Sequence, residues 1–121
     1  MSKLYSFEDS TAWKDAHKAV LQIYFIVRLF PKNELYGIVS QLCRAAVSVP
    51  ANIAEGFYRN TTKELINFLY IARGSCGEVI YYLILAKDLR YLTETDYQKL
   101  RQTYDNIAKQ VNGWIRSLKN K

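Results

Sequence analysis

The sequence predicts an all-α protein, an up-down-up-down four-helix bundle that forms a single domain over residues 1–121. Three observations support this prediction. Apolar residues recur at spacings of three and four in four separate segments, which is typical of amphipathic helices. The segments are of similar length and are joined by short polar breaks, as in antiparallel bundles. The strict alternation of polar and apolar residues that indicates strands is absent from the sequence.

The first helix is predicted from an apolar stripe within residues 13–30. Ser6 is a suitable N-cap for it, and Asp9 stands three residues later, as in a capping box. A break led by a proline follows the stripe. Asn33 ends this break, so we expect it to cap a second helix that begins at Glu34.

The second helix carries a proline inside its apolar stripe. The stripe runs from Leu35 to Val49 and resumes at Ile53, with Pro50 between them. A proline in a helix interior removes a backbone hydrogen bond and costs about 3 kcal/mol. Because the stripe resumes, we predict a helix that is kinked at Pro50 and continues to Gly56 or Tyr58.

The third and fourth helices are predicted from local start signals, each followed by an apolar stripe. Thr61 and Glu64 form a capping-box pattern at the start of the third helix. Thr93 is a suitable cap for the fourth helix, with Asp96 in its first turn. The turn between these helices is short, so they should pack antiparallel.

Composition points away from catalysis. His17 is the only histidine, and no serine or cysteine has a credible histidine partner for a nucleophilic triad. The Glu-x-x-His pairs that hold metals in helical bundles are missing. Cys43 and Cys76 lack metal-ligand spacing, and we interpret both as buried thiols. We therefore expect a non-enzymatic protein with no metal and no cofactor.

Charge and hydropathy give expectations about location. Residues 1–10 lack the apolar core of a signal peptide, so we expect a cytoplasmic protein. No apolar run combines the length with the freedom from charge that a bilayer span needs, so no membrane is expected as a partner. The net charge of +6 suits nucleic acid or another anionic surface, and it equally suits a merely soluble surface.

One long motif resembles a known family. Residues 30–92, with the core SQLCRAAVSVPANIAEG and a later ARGS, resemble the four-helix bundle proteins encoded in intervening sequences of bacterial large-subunit ribosomal RNA genes. Relatives of that family include accessory proteins of diversity-generating retroelements. The family motif falls on Gln41, Arg44, Ser48, Pro50, Asn52, Glu55, Gly56, Arg59, Glu64, Arg73, Gly74, Ser75 and Glu78.

The resemblance implies a four-helix bundle that assembles as a homo-oligomer, in the form of a pentameric ring. It implies no catalytic residue. For the retroelement relatives it implies a basic ring that associates with RNA or DNA and with a reverse transcriptase. The chain departs from the family pattern at Cys43, where a basic residue is frequent, and at Tyr58 and Arg90, where glycine is favoured. The change at Arg90 disfavours a left-handed cap at the end of the third helix.

The second helix also carries a polar stripe opposite its apolar one. The stripe consists of Arg44, Ser48, Asn52, Glu55 and Arg59. It fits a binding groove, or alternatively an intersubunit seam or a solvated face, and we favour the latter pair. Arg44 and Glu78 lie at similar distances from the turn between the second and third helices, so we expect them to form an ion pair.

The third helix contains unusual glycines and tyrosines. Gly74 and Gly77 interrupt its stripe, which indicates close contact with a neighbouring helix. Tyr70, Tyr81 and Tyr82 lie off or beside the stripe. They could stack on bases, but aromatic residues on a second face are more typical of protein–protein contact, and we favour self-association.

Charge placement separates two functional hypotheses, a nucleic-acid-binding scaffold and a purely structural or protein-interaction oligomer. In an up-down bundle both termini and the second turn share one end, and that end is the more basic. Its cations are Lys3, Arg59, Lys63, Arg116, Lys119 and Lys121, against the acids Glu8, Asp9, Glu55 and Glu64. The opposite end has Arg28, Lys32, Lys87 and Arg90 against Glu34, Asp88, Glu94 and Asp96. We therefore predict nucleic-acid binding at Arg59, Lys63, Arg116, Lys119 and Lys121.

Overall fold

A computed structural model describes residues 4–121 and shows four long helices in antiparallel order. They are α1 (Thr11–Ile26), α2 (Ser40–Phe57), α3 (Thr62–Asp88) and α4 (Glu94–Lys119). Each helix packs against the helices before and after it, and α4 also packs against α1. No strand occurs within the described residues. The predicted four-helix bundle is confirmed.

Aromatic contacts hold the connections together at both ends. At the end that contains the N-terminal segment, the rings of Phe7 and Tyr58 lie 6.2 Å apart. At the other end, the rings of Phe30 and Tyr91 lie 5.6 Å apart. The first end therefore brings the start of the chain to the α2–α3 turn, and the last turn of α4 ends there too, as predicted.

The core is apolar and contains one of the two thiols. Cys76 is buried and Cys43 is half-buried. Burial raises the pKa of the Cys76 thiol to about 12, and burial also raises the pKa of Cys43. Both thiols therefore stay protonated near neutral pH. The reactive form of cysteine is the thiolate, so neither side chain is a strong nucleophile there.

Two of the predicted helix starts are confirmed. Thr61 Oγ1 accepts a hydrogen bond from the backbone N–H of Glu64 at 3.1 Å. The helix α3 begins at Thr62, directly after this cap. Thr93 Oγ1 accepts from the N–H of Asp96 at 3.1 Å, and α4 begins after it. These caps satisfy N–H groups that the first turn of a helix leaves without a partner.

The start of the first helix differs from the prediction. The capping box of Ser6 and Asp9 forms, but it encloses a short 3-10 turn over Phe7–Asp9. Ser10 then caps α1, and its Oγ accepts from the N–H of Trp13 at 3.2 Å. Two capping signals follow each other in the sequence, and the second one starts the long helix.

The predicted helix start at Glu34 is wrong. Residues Lys32–Glu34 form a 3-10 turn and Leu35–Val39 a π-helical turn, and α2 begins only at Ser40. Gly37 has non-helical backbone angles (φ −107°, ψ −117°). A β-carbon there would lie 2.6 Å from the Glu34 carboxylate, which accepts a hydrogen bond from the Tyr91 hydroxyl at 2.8 Å. The hydrogen bond between Tyr91 and Glu34 thus ties the segment before α2 to the α3–α4 turn.

Pro50 lies buried within α2, which continues to Phe57. The helix therefore passes through the proline and ends where the sequence predicts. The break in helical backbone angles on the way into α2 lies at Gly37. A kink at Pro50 itself stays a prediction.

The end of α3 adopts a left-handed cap despite the arginine at that position. Arg90 has a φ of +65°, the left-handed region that favours glycine. Its N–H donates to the carbonyl of Lys87 and the N–H of Tyr91 donates to that of Ala86, both at 2.9 Å. This is a Schellman motif. The expectation that Arg90 disfavours such a cap is therefore wrong, because two backbone hydrogen bonds and the contacts of Tyr91 hold it.

By length and composition, α3 could cross a membrane, since its most apolar window has a mean hydropathy of 1.3. The expectation that no run meets these criteria is wrong. In the structure, 33% of that window is buried inside the bundle, where α3 packs between α2 and α4. A helix that packs against two neighbours needs apolar residues toward both of them, which raises its hydropathy.

Candidate nucleic-acid interface

Side chains of α3 and α4 meet along one side of the bundle. Arg73 Nη1 on α3 donates a hydrogen bond to Asn112 Oδ1 on α4 at 2.8 Å. The Arg73 guanidinium also lies 4.8 Å from the ring centre of Tyr70, and Lys119 Nζ of α4 lies 5.3 Å from the same ring. These contacts place the start of α3 beside the end of α4.

Two helix segments on this side of the bundle carry cations and no carboxylates. Residues 65–77 of α3 and 106–121 of α4 contain no aspartate and no glutamate. Helical spacing places the cations of these segments, and Lys63 two residues before the first segment, along neighbouring faces of the two helices. We call this set the α3–α4 basic face, and it consists of Lys63, Arg73, Lys109, Arg116 and Lys119.

Most of the cations predicted to bind nucleic acid lie on or beside this face. Lys63, Arg116 and Lys119 are exposed members of it, and Lys121 is exposed just after α4 ends. The three ion pairs found within residues 4–121 involve none of these four cations. Lys3, which was grouped with them, lies outside the described residues.

Arg59 lies apart from the basic face, although the sequence grouped it there. Its Nη2 is 3.1 Å from Glu55 Oε2, and its guanidinium lies 4.7 Å from the ring centre of Phe68. Phe68 in turn faces α2, because a β-carbon on Gly56 would meet its Cβ at 2.8 Å. Arg59 is therefore on the α2 side of α3, with its charge opposed by Glu55.

The other acids of this end take part in local capping. Asp9 Oδ2 accepts hydrogen bonds from the N–H groups of Tyr5 and Ser6 at 3.2 and 3.1 Å. Glu64 Oε2 accepts from the N–H of Asn60 at 3.2 Å. These two carboxylates therefore lie at the start of the chain and at the α2–α3 turn.

The structure divides the predicted polar stripe of α2 into an inner and an outer part. Ser48 Oγ and Ser75 Oγ of α3 lie 2.8 Å apart. Asn52 Nδ2 donates to the carbonyl and to Oγ of Ser48 at 2.7 and 2.9 Å. This network joins α2 to α3 within one chain. It is therefore neither a groove nor a solvated face.

The outer part of the stripe is exposed. Arg44, Glu55 and Glu78 all reach solvent, and Glu55 pairs with Arg59 as described. The ion pairs of the described chain do not include the expected one between Arg44 and Glu78. Ser48 and Ser75 take the position between α2 and α3 at this level, and both charged side chains remain in water, where an ion pair gains little.

The interior glycines of α3 do not mark close contact within the chain. A β-carbon at Gly74 or Gly77 would meet nothing within 4 Å, and both positions are exposed. The predicted helix contact is therefore wrong for these two residues. The close approach is made by Gly56 of α2, which lies against Leu65 and Phe68.

His17 serves a structural contact. Its ring stacks on Trp13 with the centroids 5.0 Å apart and the planes 7° from parallel. Within the part of the chain that the structure describes, no three histidine, cysteine, aspartate or glutamate side chains come together as a metal site.

Sequence reasoning missed two cations of the basic face and the polar partner Asn112. Arg73 was placed in the family motif without a binding role, and Lys109 was not singled out. The pairing of Arg73 with Asn112, and of Tyr70 with Lys119, was not foreseen. The absence of acids from residues 65–77 and 106–121 is the signal that points to this face, because antiparallel neighbours bring those two segments together.

The fold and this face define a small antiparallel helical-bundle protein with a group of exposed cations on α3 and α4. The chain belongs to the 23S rRNA-intervening sequence protein family, whose family model matches residues 8–113. The resemblance inferred from the motif is thereby confirmed. The relation to retroelement accessory proteins stays a prediction.

A solved structure shares the fold. It is the crystal structure of a protein with unknown function from the S23 ribosomal protein family of Bacteroides thetaiotaomicron. It is 23% identical to this chain, with a TM-score of 0.80 over 87% of this chain and 98% of that one. No curated protein matches the chain.

Proposed function

We propose that this protein is a non-enzymatic, oligomeric helical-bundle scaffold that binds RNA or DNA through the α3–α4 basic face. The single observation that carries the proposal is the charge segregation on that face. Four of its five cations lie on two helix segments without a carboxylate, and Lys63 lies just before the first of these segments, beside Glu64. The acids of the same end accept hydrogen bonds in caps or pair with Arg59.

The physical basis is electrostatic. Nucleic acid carries a dense row of phosphates with condensed counterions, and cations that contact phosphates release those counterions. Lysines and arginines in rows along the neighbouring faces of α3 and α4 can follow a phosphate backbone. Such contacts fix position without reading sequence, so we expect little sequence preference.

Assembly into a homo-oligomer would multiply this face. The proposal is supported by large apolar side chains that are at least half exposed on α1 and the connection after it: Leu21, Tyr24, Phe25, Leu29, Leu35 and Tyr36. Leu21 and Phe25 also line a groove of about 440 Å³ between α1 and α4. The pentameric ring and a reverse transcriptase partner rest on the family resemblance. Repeated weak sites on one particle would raise the apparent affinity.

The exposed apolar surface also favours the second candidate, a protein-interaction oligomer without a role in nucleic-acid binding. The two candidates differ in what the cations do. In the first they contact phosphate, and in the second they only keep the assembly soluble.

A matched pair of quadruple variants separates the candidates. The test variant replaces Lys63, Lys109, Arg116 and Lys119 by glutamine, and the control variant replaces Lys14, Lys18, Arg28 and Lys32 by glutamine. Each set contains three lysines and one arginine, and all eight positions are exposed. Affinity for an oligonucleotide is measured over a salt series, with circular dichroism and light scattering to verify helicity and oligomer size.

We expect the test variant to lose most of its affinity, and its log–log salt slope to fall by about 0.7–0.9 for each phosphate contact removed. The control variant should retain affinity and slope. Equal losses in both sets would show that the charge acts diffusely. If the wild-type protein retains no oligonucleotide at low salt, the nucleic-acid proposal fails and the protein-interaction candidate is favoured.

A further inference from the structure

The α3–α4 basic face contains one aromatic ring with two cations over it. We propose that Tyr70, Arg73 and Lys119 form a platform for an unpaired base and its phosphate, so that the face prefers single-stranded nucleic acid to a duplex. This inference rests on the proposed function, since it names the form of nucleic acid that the basic face takes.

The three side chains hold each other in place. Arg73 lies 4.8 Å and Lys119 lies 5.3 Å from the ring centre of Tyr70. Asn112 fixes the guanidinium by accepting its Nη1 hydrogen bond at 2.8 Å. Tyr70 is half-buried and packs against the hydrophobic core. The ring and the guanidinium are thus oriented before any ligand arrives, which lowers the entropy lost on binding.

The chemistry of this cluster suits an unpaired base. Bases of single strands stack on aromatic rings and on the planes of arginine guanidinium groups. In a duplex the base faces are covered by their neighbours, so a planar group on the protein surface gains nothing from them. Both cations lie over the Tyr70 ring, so the plane offered to a base is that of the Arg73 guanidinium, which the ring supports. A lysine beside the ring contacts the adjacent phosphate as a point charge. Arg73 over Tyr70 therefore offers a planar cation, and Lys119 offers the phosphate contact.

Space beside the platform is open. Gly77 lies one helical turn after Arg73 and two turns after Tyr70, so the three residues line the same side of α3. A β-carbon at Gly77 would meet no atom within 4 Å. A strand lying along the face therefore meets no side chain at this position, and its backbone can approach the helix closely.

The test compares Tyr70→Leu with Tyr70→Phe, using an oligouridine strand and an RNA duplex of the same length at one salt concentration. Tyr70→Phe keeps the ring and removes only the hydroxyl. Tyr70→Leu keeps an apolar side chain for packing and removes the ring. Thermal unfolding by circular dichroism shows whether each variant keeps the fold.

We expect the wild-type protein to bind the single strand more tightly than the duplex. Tyr70→Leu should weaken single-strand binding about tenfold, within the range that stacking of one base contributes, and leave duplex binding unchanged. Tyr70→Phe should stay within about twofold of the wild type on both ligands, because its ring still stacks.

A second variant keeps the inference testable if Tyr70→Leu loses its fold. Arg73→Lys retains the positive charge and loses both the planar group and the fork that reaches Asn112. It should weaken single-strand binding about tenfold, as the loss of one stacked base does, with an unchanged salt slope.

Two results would overturn the inference and leave the proposed function intact. One is equal affinity of the wild type for strand and duplex. The other is a loss in Tyr70→Leu that is the same for both ligands, which would show that the ring only positions the cations. If the wild type binds neither ligand, the proposed function fails as well.

Discussion

The two sides of α3 differ in how closely their residues are packed by contacts within the chain. On the side that faces α2, Gly56 lets the helices approach so closely that a β-carbon would meet Phe68 Cβ at 2.8 Å. Ser75 on that side is buried and shares a 2.8 Å hydrogen bond with Ser48. On the outer side, Gly74 and Gly77 face open space.

This difference shows which residues of α3 serve the fold. On the inner side, contacts within the chain account for Leu65, Phe68 and Ser75. On the outer side, two glycines each cost the helix about 0.5–1 kcal/mol relative to alanine, and no contact within the chain compensates for that cost. This outer side carries the α3–α4 basic face, which is where the proposed function places nucleic acid.

Alkaline pH gives the largest expected effect, and it concerns Cys76 on the inner side. Burial raises its pKa in the folded protein to about 12 from 9.0. Above pH 9 the unfolded chain releases this proton while the folded chain keeps it, so Cys76 destabilises the folded state progressively between these two values. We expect the stability advantage of the wild type over Cys76→Ala to shrink by about 1 kcal/mol per pH unit.

Urea unfolding of both proteins at several pH values between 8 and 11 measures this effect. The two stability curves should run parallel below pH 9 and converge above it. Curves that stay parallel throughout would mean that Cys76 titrates in the folded protein as it does in the unfolded chain, and that the inner side of α3 is open to water.

Closing the space at Gly56 should have the next largest effect. Gly56→Ala places a β-carbon against the backbone-linked Cβ of Phe68, which cannot move without the helix. Overpacking of this kind costs about 1–3 kcal/mol, and the gain in helix propensity offsets only part of it. We expect a net loss of about 1–2 kcal/mol, measured by urea unfolding at fixed protein concentration.

The same substitution on the outer side should have the opposite sign. Gly77→Ala meets no atom within 4 Å, so only helix propensity changes. We expect a stabilisation of about 0.5–1 kcal/mol. A destabilised Gly77→Ala protein of unchanged helicity would contradict the comparison, since it would show that Gly77 is packed in the assembled protein as tightly as Gly56 is within one chain.

The helices could be predicted from the sequence because their signals are local. Thr61 and Thr93 cap the helices that follow them, and the apolar stripes give the four segments. The connection before α2 could not be predicted, since it depends on the hydrogen bond between Tyr91 and Glu34, which are 57 positions apart. Periodicity within one helix carries no information about such a contact.

The candidate site was predicted only in part for a related reason. Assigning the cations to the two ends of the bundle correctly identified Lys63, Arg116 and Lys119 as members of the α3–α4 basic face. It also included Arg59, which the structure places on the α2 side over Phe68. Which side of a helix faces which neighbour depends on how the helices rotate against each other, and only the packed core fixes that rotation.

Photo-cross-linking of an oligouridine strand to the wild-type protein tests the central claim most directly, because it identifies the residues that touch nucleic acid without any mutation. Mass spectrometry of the digested adducts maps the contacts. We predict cross-links within residues 63–77 of α3 and 109–121 of α4, with Tyr70 among them. Cross-links confined to α1, or to the end of the bundle that holds Phe30 and Tyr91, would contradict the account.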